Sequence, residues 1–280
     1  LGQDKKTWPP EIEADRIEVY KHASGVDLSL YFFFPEGHSE TERYPAAVFF
    51  FGGGWNGGSP TQFEPHARYL ASRGMVGIVA DYRVKSRNDT SPFECVKDGK
   101  SAVRWIRANA ARLGIDPERI AAGGGSAGGH VAAATGLVPG LEEEGEDLAV
   151  SSKPNALLLF NPVYDNGPDG YGYDRVEPRH LEISPLHNIT KGAPPTIVFL
   201  GTEDNLIPVS TAETFDAKME AAGNRCDTHL YAGEAHGFFN ATKKNGEYYA
   251  KTVYEMDRFL VSLGYLEGNP TIELPSPQEK

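Results

Sequence analysis

Cysteine, basic clusters and long apolar runs are all scarce in this sequence. Its 280 residues include only two cysteines, Cys95 and Cys226, which are too few for a disulfide framework. Two buried free thiols fit this count better than a single bridge, although a bridge stays open. No apolar stretch approaches the roughly 18 residues that indicate a membrane-spanning helix. A chain of this length can instead bury about three quarters of its unfolded surface in a packed core.

Positive charge is limited as well. The 27 basic residues are outnumbered by 39 acidic ones, which gives a net charge of −12. Proteins that bind nucleic acids usually cluster Lys and Arg on one face, whereas the basic residues here reach only pairs such as Lys5-Lys6. The composition therefore argues against a nucleic-acid partner. The acidic residues Glu142–Glu144, Glu146 and Asp147 are interpreted as a solvated loop.

The first residue of the sequence bears on the cell compartment of the protein. The sequence starts at Leu1 without Met and without a recognisable signal peptide. This start is typical of a trimmed chain or of a mature exported protein. It favours a secreted or periplasmic bacterial protein over a cytoplasmic one.

Apolar runs of strand length alternate with stretches of helical periodicity from Tyr44 onward. Before them, two strand-like runs at 17–20 and 28–34 are separated by a turn, which predicts an antiparallel pair. The later runs are almost continuously apolar, as in strands covered on both faces: 46–51, 75–80, 120–122, 156–160 and 196–200, with a weaker one at 227–232. Helices are predicted near 61–73, 92–113, 127–136, 209–222 and 246–263. This order predicts an α/β fold with a mostly parallel eight-stranded sheet and helices on both faces.

No internal repeat or linker divides the sequence, so residues 1–280 are expected to form a single domain. Residues 1–15 should form an N-terminal arm and residues 268–280 a loose tail. Residues 161–194 interrupt the alternation and are rich in Gly, Pro, Tyr and Asp. We expect this insertion to lie over the carboxyl ends of the strands and to shape a substrate pocket.

Gly124-Gly125-Ser126-Ala127-Gly128 is the most informative motif. It lies between a predicted strand and a predicted helix, the context in which G-x-S-x-G forms a nucleophile elbow. Such a turn strains the serine backbone and brings strand and helix close together, which requires glycine at 124 and 128. Ser126 is therefore the candidate nucleophile. An incidental serine in a Gly-rich turn is the alternative.

A serine hydroxyl needs a base within hydrogen-bonding reach. His236 is the best candidate among the eight histidines, because it lies in a Gly-containing loop directly after the last predicted strand. His130, four residues after Ser126, is interpreted as a packing residue. An acid must also orient the base. Asp204 follows the predicted strand 196–200 and precedes a helix, with Glu203 beside it as the rival.

Acyl transfer further requires donors aimed at the developing oxyanion. Three consecutive glycines, 52–54, follow the predicted strand 46–51. The backbone N–H groups of Gly53 and Gly54, with that of Ala127 at the start of a helix, are the predicted oxyanion-hole donors. A simple Gly-rich turn is the alternative. No Cys/His cluster has metal-ligand spacing, and this chemistry requires neither a metal nor an organic cofactor.

These features resemble the esterase and lipase branch of the α/β-hydrolase superfamily, namely the hormone-sensitive-lipase-like carboxylesterases and the acetyl-esterase group near them. The triad order Ser, Asp, His is the order of that fold. The resemblance covers residues 44–263 and rests on Gly52-Gly53-Gly54-Trp55, Asp81-Tyr82-Arg83, the Ser126 motif, Asp204 with Pro208, and His236-Gly237-Phe238. It implies an α/β-hydrolase fold and a serine carboxylesterase that works through an acyl-enzyme.

Two departures from the family pattern affect the expected substrate. Phe51 stands where the family usually has His, at a position that supports the glycine loop, so activity should survive. Only about 15 residues precede the first predicted strand, so we expect little or no cap and an open pocket. Such a pocket favours short, acetyl-like esters of a small molecule or an oligosaccharide, including plant polysaccharides. Candidate substrate-binding residues are Trp55, Tyr164 and Phe238, with Tyr171 and Tyr173 as further aromatic residues of the insertion. The alternative is that Trp55 covers the sheet edge and that the tyrosines of the insertion cover the sheet.

Two other classes stay open. A serine peptidase of the prolyl-oligopeptidase type would share the triad order, although no propeller precedes the domain and the Gly-Gly-Gly-Trp loop is more typical of esterases. A non-catalytic binding module on the same fold would normally have lost a triad residue, whereas all three candidates are present here.

Overall fold

The computed structural model describes residues 8–275 and is built around an eight-stranded sheet. The strands in chain order are β1 (Arg16–Ala23), β2 (Val26–Phe33), β3 (Tyr44–Phe50), β4 (Val76–Ala80), β5 (Ile115–Gly125), β6 (Ala156–Phe160), β7 (Thr196–Gly201) and β8 (Cys226–Tyr231). Their spatial order is β1-β2-β4-β3-β5-β6-β7-β8. β2 is antiparallel to both of its neighbours, and all other pairs are parallel. The predicted mostly parallel eight-stranded sheet is confirmed.

Except between β6 and β7, where the insertion contains only short 3₁₀ turns, α-helices connect the parallel strands, as predicted. In the described part of the chain they are α1 (Glu64–Ser72), α2 (Lys85–Asn88), α3 (Pro92–Ala108), α4 (Ala127–Leu137), α5 (Val209–Ala221) and α6 (Glu247–Ser262). The short helix α2 has no counterpart in the prediction. α3 ends five residues earlier than expected, because Asn109 leaves the helical conformation and residues 110–113 tighten into a 3₁₀ turn that ends at Gly114.

The sheet separates two apolar cores. Alternate side chains of a strand point to opposite faces, so Val48 and Phe50 of β3 pack into one core and Ala47 and Phe49 into the other. The first core also contains the apolar sides of α3, α4 and α5, and the second contains those of α1 and α6. Helices therefore cover both faces, and the carboxyl ends of the parallel strands remain free to carry loops.

The acidic segment after α4 is only partly the solvated loop that the sequence suggested: Glu144 and Asp147 are exposed, whereas the other three carboxylates form ion pairs. Glu142 pairs with Lys100 at 3.0 Å and with Arg104 at 2.5 Å, and Glu146 also contacts Arg104. Glu143 pairs with Lys21 at 2.5 Å. The side chains of Lys100 and Arg104 are only 3% and 7% exposed. Because buried cations need counter-charges, Glu142 and Glu146 fold back onto α3 and Glu143 folds back onto β1.

Both cysteines are free: Cys95 is buried and Cys226 is half-buried. The sequence left open either two free thiols or one disulfide bridge, and the structure has two free thiols. Residues 1–7 of the predicted arm and 276–280 of the predicted tail lie outside the described residues. Within residues 8–275, no helix is both long and apolar enough to cross a membrane.

Candidate active site

Ser126 occupies the sharp turn between β5 and α4. Its backbone has φ 54° and ψ −119°, a strained conformation for a residue other than glycine. Its N–H donates to the carbonyl oxygen of Phe160 at 3.0 Å, which fixes the turn over β6. A Cβ atom at Gly124 or Gly128 would lie 2.5 Å or 2.1 Å from the carbonyl oxygen of Phe50. The close approach of strand and helix therefore explains why the motif needs glycine at both positions.

His236 lies in the loop after β8 and faces Ser126. Its Nε2 is 2.9 Å from Oγ of Ser126, and its side chain is 22% exposed. The next residue, Gly237, donates its N–H to Oδ1 of Asn161 at 2.8 Å, and Asn161 follows directly after β6. The candidate base thus reaches the candidate nucleophile from a loop that is fixed to a neighbouring strand end.

Asp204 rather than Glu203 contacts the imidazole. Oδ2 of Asp204 lies 2.7 Å from Nδ1 of His236, and the Asp204 side chain is fully buried. Glu203 is exposed to solvent. A carboxylate only accepts hydrogen bonds, so Nδ1 carries the proton and Nε2 is left to accept the hydroxyl proton of Ser126.

The glycine loop after β3 has left-handed backbone angles, with φ 133° at Gly53 and 62° at Gly54. Phe51, in the position of the family's histidine, is buried and stacks on Tyr82 with ring centroids 4.2 Å apart. The Tyr82 hydroxyl also donates to the carbonyl oxygen of Phe51 at 2.5 Å. An aromatic pair with one hydrogen bond therefore supports the loop.

The predicted oxyanion donors remain available. Among residues 8–275, the N–H groups of Gly53, Gly54 and Ala127 have no protein acceptor. Gly53 and Gly54 line the cleft at Ser126, and Ala127 is the first residue of α4. A helix N-terminus directs unpaired N–H groups and positive potential towards the residue before it. These groups surround the nucleophile with donors, as a developing oxyanion would require.

A cleft of about 380 Å³ opens at Ser126 and His236. It is lined mainly by polar and glycine residues, with Phe239 and Leu206 as its larger apolar residues: Gly52, Gly53, Gly54, Asn56, Gln62, Ser126, Asn161, Tyr171, Arg175, Leu206, His236, Gly237, Phe239 and Asn240. A second chamber of about 480 Å³ shares Gly54, Asn56 and Arg175 with this cleft. Its other lining residues are mixed in character and include the charged Lys85, Asp89 and Asp174 as well as Trp55 and Pro92.

The three aromatic residues predicted to bind substrate do not line the cleft at Ser126, although Trp55 contributes to the wall of the second chamber. Trp55 is 2% exposed and packs edge-on against His130, with ring centroids 5.0 Å apart. Tyr164 is fully buried and stacks on Phe215, and Phe238 is buried against Tyr231. These rings fill the packing beneath the loops, because large apolar surfaces are stabilised by burial. His130 is the packing residue that the sequence predicted, and burial lowers its pKa to about 4.

Several cleft residues were not singled out by the sequence reasoning, among them Gln62, Asn161, Arg175 and Asn240. Arg175 comes from the insertion and donates from Nη1 to the carbonyl oxygen of Gly54 at 2.7 Å. Tyr171, which the insertion's tyrosine content brought to notice, does reach the cleft. The remaining residues carried no local signal, since single amides and arginines in irregular segments are common. Among residues 8–275, no group of three or more His, Cys, Asp or Glu side chains is placed to hold a metal ion.

The fold is that of an α/β hydrolase, and the contacts among Ser126, His236 and Asp204 place the candidate triad at the carboxyl ends of its strands. The family model BD-FAE matches residues 30–161, and the model of the dienelactone hydrolase family matches residues 171–260. The structure of Thermogutta terrifontis esterase 2 phosphorylated by paraoxon is 46% identical, covers 94% of this chain and 99% of its own, and superposes with a TM-score of 0.90. The propionate-bound form of that esterase gives the same identity, coverage and TM-score.

Curated sequences point the same way. Esterase LipC of Mycobacterium tuberculosis is 30% identical over 219 residues, which is 71% of this chain and 54% of LipC. This chain spans about half the length of the curated relatives it matches, such as LipC and the probable carboxylic ester hydrolase LipM at 42%. The chain belongs to the α/β-hydrolase superfamily, among the carboxylic-ester hydrolases of the hormone-sensitive-lipase type.

Proposed function

We propose that this protein is a serine carboxylesterase that hydrolyses short-chain esters through an acyl-enzyme. The observation that carries the proposal is the continuous line of contacts from Ser126 Oγ to His236 Nε2 at 2.9 Å and from His236 Nδ1 to Asp204 Oδ2 at 2.7 Å. Because the nucleophile, base and orienting acid meet in this geometry, the arrangement can activate a serine for acyl transfer.

In the first half-reaction, Ser126 Oγ attacks the ester carbonyl and its proton passes to Nε2 of His236. The imidazolium then gives that proton to the departing alcohol as the tetrahedral intermediate collapses to the acyl-enzyme. In the second half-reaction, His236 deprotonates a water that attacks the acyl carbonyl, and the proton returns to Ser126. Asp204 stabilises the imidazolium throughout and does not itself take the proton.

The proposed oxyanion hole consists of the N–H groups of Gly53, Gly54 and Ala127. All three are unpaired within the described residues. Gly53 and Gly54 line the same cleft as Ser126, and Ala127 follows Ser126 in the chain. Preorganised donors of this kind act only when negative charge develops on the carbonyl oxygen, and each contributes about a hundredfold to a thousandfold in rate.

The substrate that best fits this site has a short acyl group and a polar alcohol. A cleft of about 380 Å³ lies at the small end of the range for ligand sites, so it leaves little room for a long acyl chain. The bound propionate and butyrate in Thermogutta terrifontis esterase 2 support a preference for short acyl groups. The adjoining chamber offers the polar side chains of Lys85, Asp89 and Asp174 beside Trp55, which supports a hydroxylated alcohol such as the sugar of an acetylated plant polysaccharide.

The test compares hydrolysis of p-nitrophenyl acetate, butyrate, octanoate and ferulate by the wild type, by Ser126→Ala and by Ser72→Ala. Ser72 is an exposed serine at the end of α1 and serves as the matched control. We expect short acyl chains to be preferred and Ser126→Ala to lose about a thousandfold or more in kcat. Paraoxon should phosphorylate the wild type but not Ser126→Ala, as intact-protein mass spectrometry would detect.

Two outcomes would redirect the proposal. If Ser126→Ala retained most of the rate, Ser126 would not be the nucleophile. If the wild type were inert on all four esters, hydrolysis of a proline-containing peptide would favour the peptidase alternative, and its absence would favour the binding module.

A further inference from the structure

A chain of side-chain amides joins the glycine loop to the loop that carries His236. The N–H of Gly52 donates to Oε1 of Gln62 at 2.7 Å, and Nε2 of Gln62 donates to Oδ1 of Asn240 at 2.8 Å. Nδ2 of Asn240 in turn donates to the carbonyl oxygen of Gly237 at 2.8 Å. Gln62 and Asn240 are 178 residues apart in the sequence, and both line the cleft.

The two backbone ends fix the direction of every hydrogen bond in this chain. The N–H of Gly52 can only donate, so it must face the amide oxygen of Gln62. The Gln62 nitrogen therefore faces Asn240 and requires the oxygen of that amide as its acceptor. The Asn240 nitrogen is then left to donate to Gly237, whose carbonyl oxygen can only accept. No amide can rotate without breaking two hydrogen bonds, so the chain has one stable arrangement.

Each end of the chain lies next to a group of the proposed mechanism. Gly52 immediately precedes the proposed donor Gly53, and a Cβ atom on Gly52 would lie 3.3 Å from Cβ of Ser126. Gly237 immediately follows His236, and its N–H is held by Asn161 at 2.8 Å. A shift of either loop would therefore change the distance between the oxyanion donors and Nε2 of His236.

We propose that Gln62 and Asn240 are positioning residues that fix the distance between the oxyanion donors and Nε2 of His236. This proposal rests on the proposed function of the same site. Neither side chain touches the reacting atoms in this role. They act by joining two loops that would otherwise be placed independently. Misplacement of catalytic groups by about 1 Å costs on the order of a hundredfold in rate, so loss of this link should slow the chemical step.

Asn224 provides a matched control. Its Oδ1 accepts from the N–H of Gly192 at 2.9 Å, and its Nδ2 donates to the carbonyl oxygen of Thr190 at 2.9 Å. It is half-buried, like Gln62 and Asn240, and it also joins two separate segments. It does not line the cleft. Asn224→Ala therefore removes comparable loop-joining hydrogen bonds from a place where they cannot affect the base or the oxyanion donors.

The experiment measures kcat, KM and Tm with p-nitrophenyl acetate for Gln62→Met, Asn240→Ala, the double variant and Asn224→Ala. Gln62→Met preserves the length of the side chain and removes both of its hydrogen bonds. We expect each single variant to lower kcat about tenfold to a hundredfold, with KM changed by less than about threefold. The double variant should be no slower than the slower single variant, because either substitution already breaks the chain. Asn224→Ala should lower Tm and leave kcat unchanged.

The proposal is overturned if kcat is unchanged in the Gln62 and Asn240 variants, if only KM rises, or if the two losses multiply in the double variant. Should Gln62→Met fail to fold, Gln62→Glu tests the same link, since its carboxylate accepts from Gly52 but cannot donate to Asn240. Ester hydrolysis by the wild type and its loss in Ser126→Ala test the proposed function separately. If the Gln62 and Asn240 variants contradict the positioning role, the proposed esterase function is therefore unaffected.

Discussion

Asp204 holds His236 with one carboxylate oxygen while its other oxygen is held by the backbone. Oδ2 lies 2.7 Å from Nδ1 of His236, and Oδ1 accepts the N–H groups of Leu206 and Ile207, both at 2.9 Å. The carboxylate therefore cannot rotate freely, and the plane of the imidazole is set by the turn after β7.

Asp204→Asn should abolish most of the activity, whereas Glu203→Gln should leave it near the wild-type level. An amide at position 204 can present its NH₂ group to Nδ1, which stabilises the wrong imidazole tautomer. The expected loss in kcat is about ten-thousandfold, measured with p-nitrophenyl acetate. An equal loss in Glu203→Gln would assign the acid to the other carboxylate.

Gly128→Ala should strongly destabilise the folded protein. A methyl group at position 128 would lie 2.1 Å from the carbonyl oxygen of Phe50 and 2.4 Å from that of Phe51, both of them backbone atoms that cannot move aside. We expect a cost of at least about 3 kcal/mol in the free energy of unfolding, seen as a lower Tm or as loss of soluble protein. Gly57→Ala is the control, because its new methyl group would meet only Oγ of Ser86, at 3.8 Å. A wild-type Tm in Gly128→Ala would show that α4 can move away from the sheet.

Asp98→Ala should be among the most destabilising substitutions outside the cleft. Asp98 is fully buried, with Nη2 of Arg83 2.7 Å from its Oδ1 and Nζ of Lys21 also at 2.7 Å. Removing it leaves two buried cations without this partner, at an expected cost of about 3–5 kcal/mol in urea denaturation. Glu182→Gln breaks the exposed pair with Arg179 and should leave the free energy of unfolding unchanged within error. Equal effects of the two variants would contradict this account.

His66 should make the protein less stable in acid. It is fully buried among aromatic rings, including those of Phe63 and Tyr249 at centroid distances of 4.7 and 4.9 Å. Burial lowers its pKa from 6.5 to about 3. The unfolded chain therefore binds a proton below pH 6.5 that the folded protein does not bind. The stability from this group is fully present above pH 6.5 and is lost as the pH falls towards 3, at about 1.4 kcal/mol per pH unit.

His66→Leu isolates this contribution. The slope of the free energy of unfolding against pH, measured by urea denaturation between pH 4 and 6, should fall by about 1.4 kcal/mol per pH unit relative to the wild type. Asp81 acts in the opposite direction, because burial raises its pKa to about 6, but it is present in both proteins and cancels in the difference. The stability difference at pH 8 gives the packing change alone. Parallel slopes would mean that His66 is protonated in the folded state.

The sequence predicted the sheet and the chain positions of the candidate triad because their signals are local. Nearly continuous apolar runs mark the parallel strands, and the elbow motif places Ser126 between β5 and α4. His236 and Asp204 each follow a strand, and parallel strands bring their carboxyl ends to one edge of the sheet. A coarse order of elements was therefore enough to put these residues near one another.

Side-chain direction in irregular segments was not predictable in this way. Trp55, Tyr164 and Phe238 are aromatic residues beside or within loops near the site, yet all three point into the packing. The bridge between Gln62 and Asn240 joins residues that are 178 positions apart, and neither residue has a neighbouring motif. The charges of residues 142–146 looked solvated because the buried partners Lys100 and Arg104 lie on a helix about forty residues earlier, at separations of 42 and 38 from Glu142.

The contact between Arg175 and the carbonyl oxygen of Gly54 couples the choice of substrate to the rate of turnover. The insertion at 161–194 supplies Tyr171 and Arg175 to the cleft wall. Arg175 also donates a hydrogen bond to Gly54, a residue of the proposed oxyanion hole. A change in this segment that admits a new alcohol group would also move Gly54, a donor of the proposed oxyanion hole. Substitutions in this insertion that change the substrate range should therefore also change kcat. Variants that accept a new substrate at full rate should need compensating substitutions in the glycine loop.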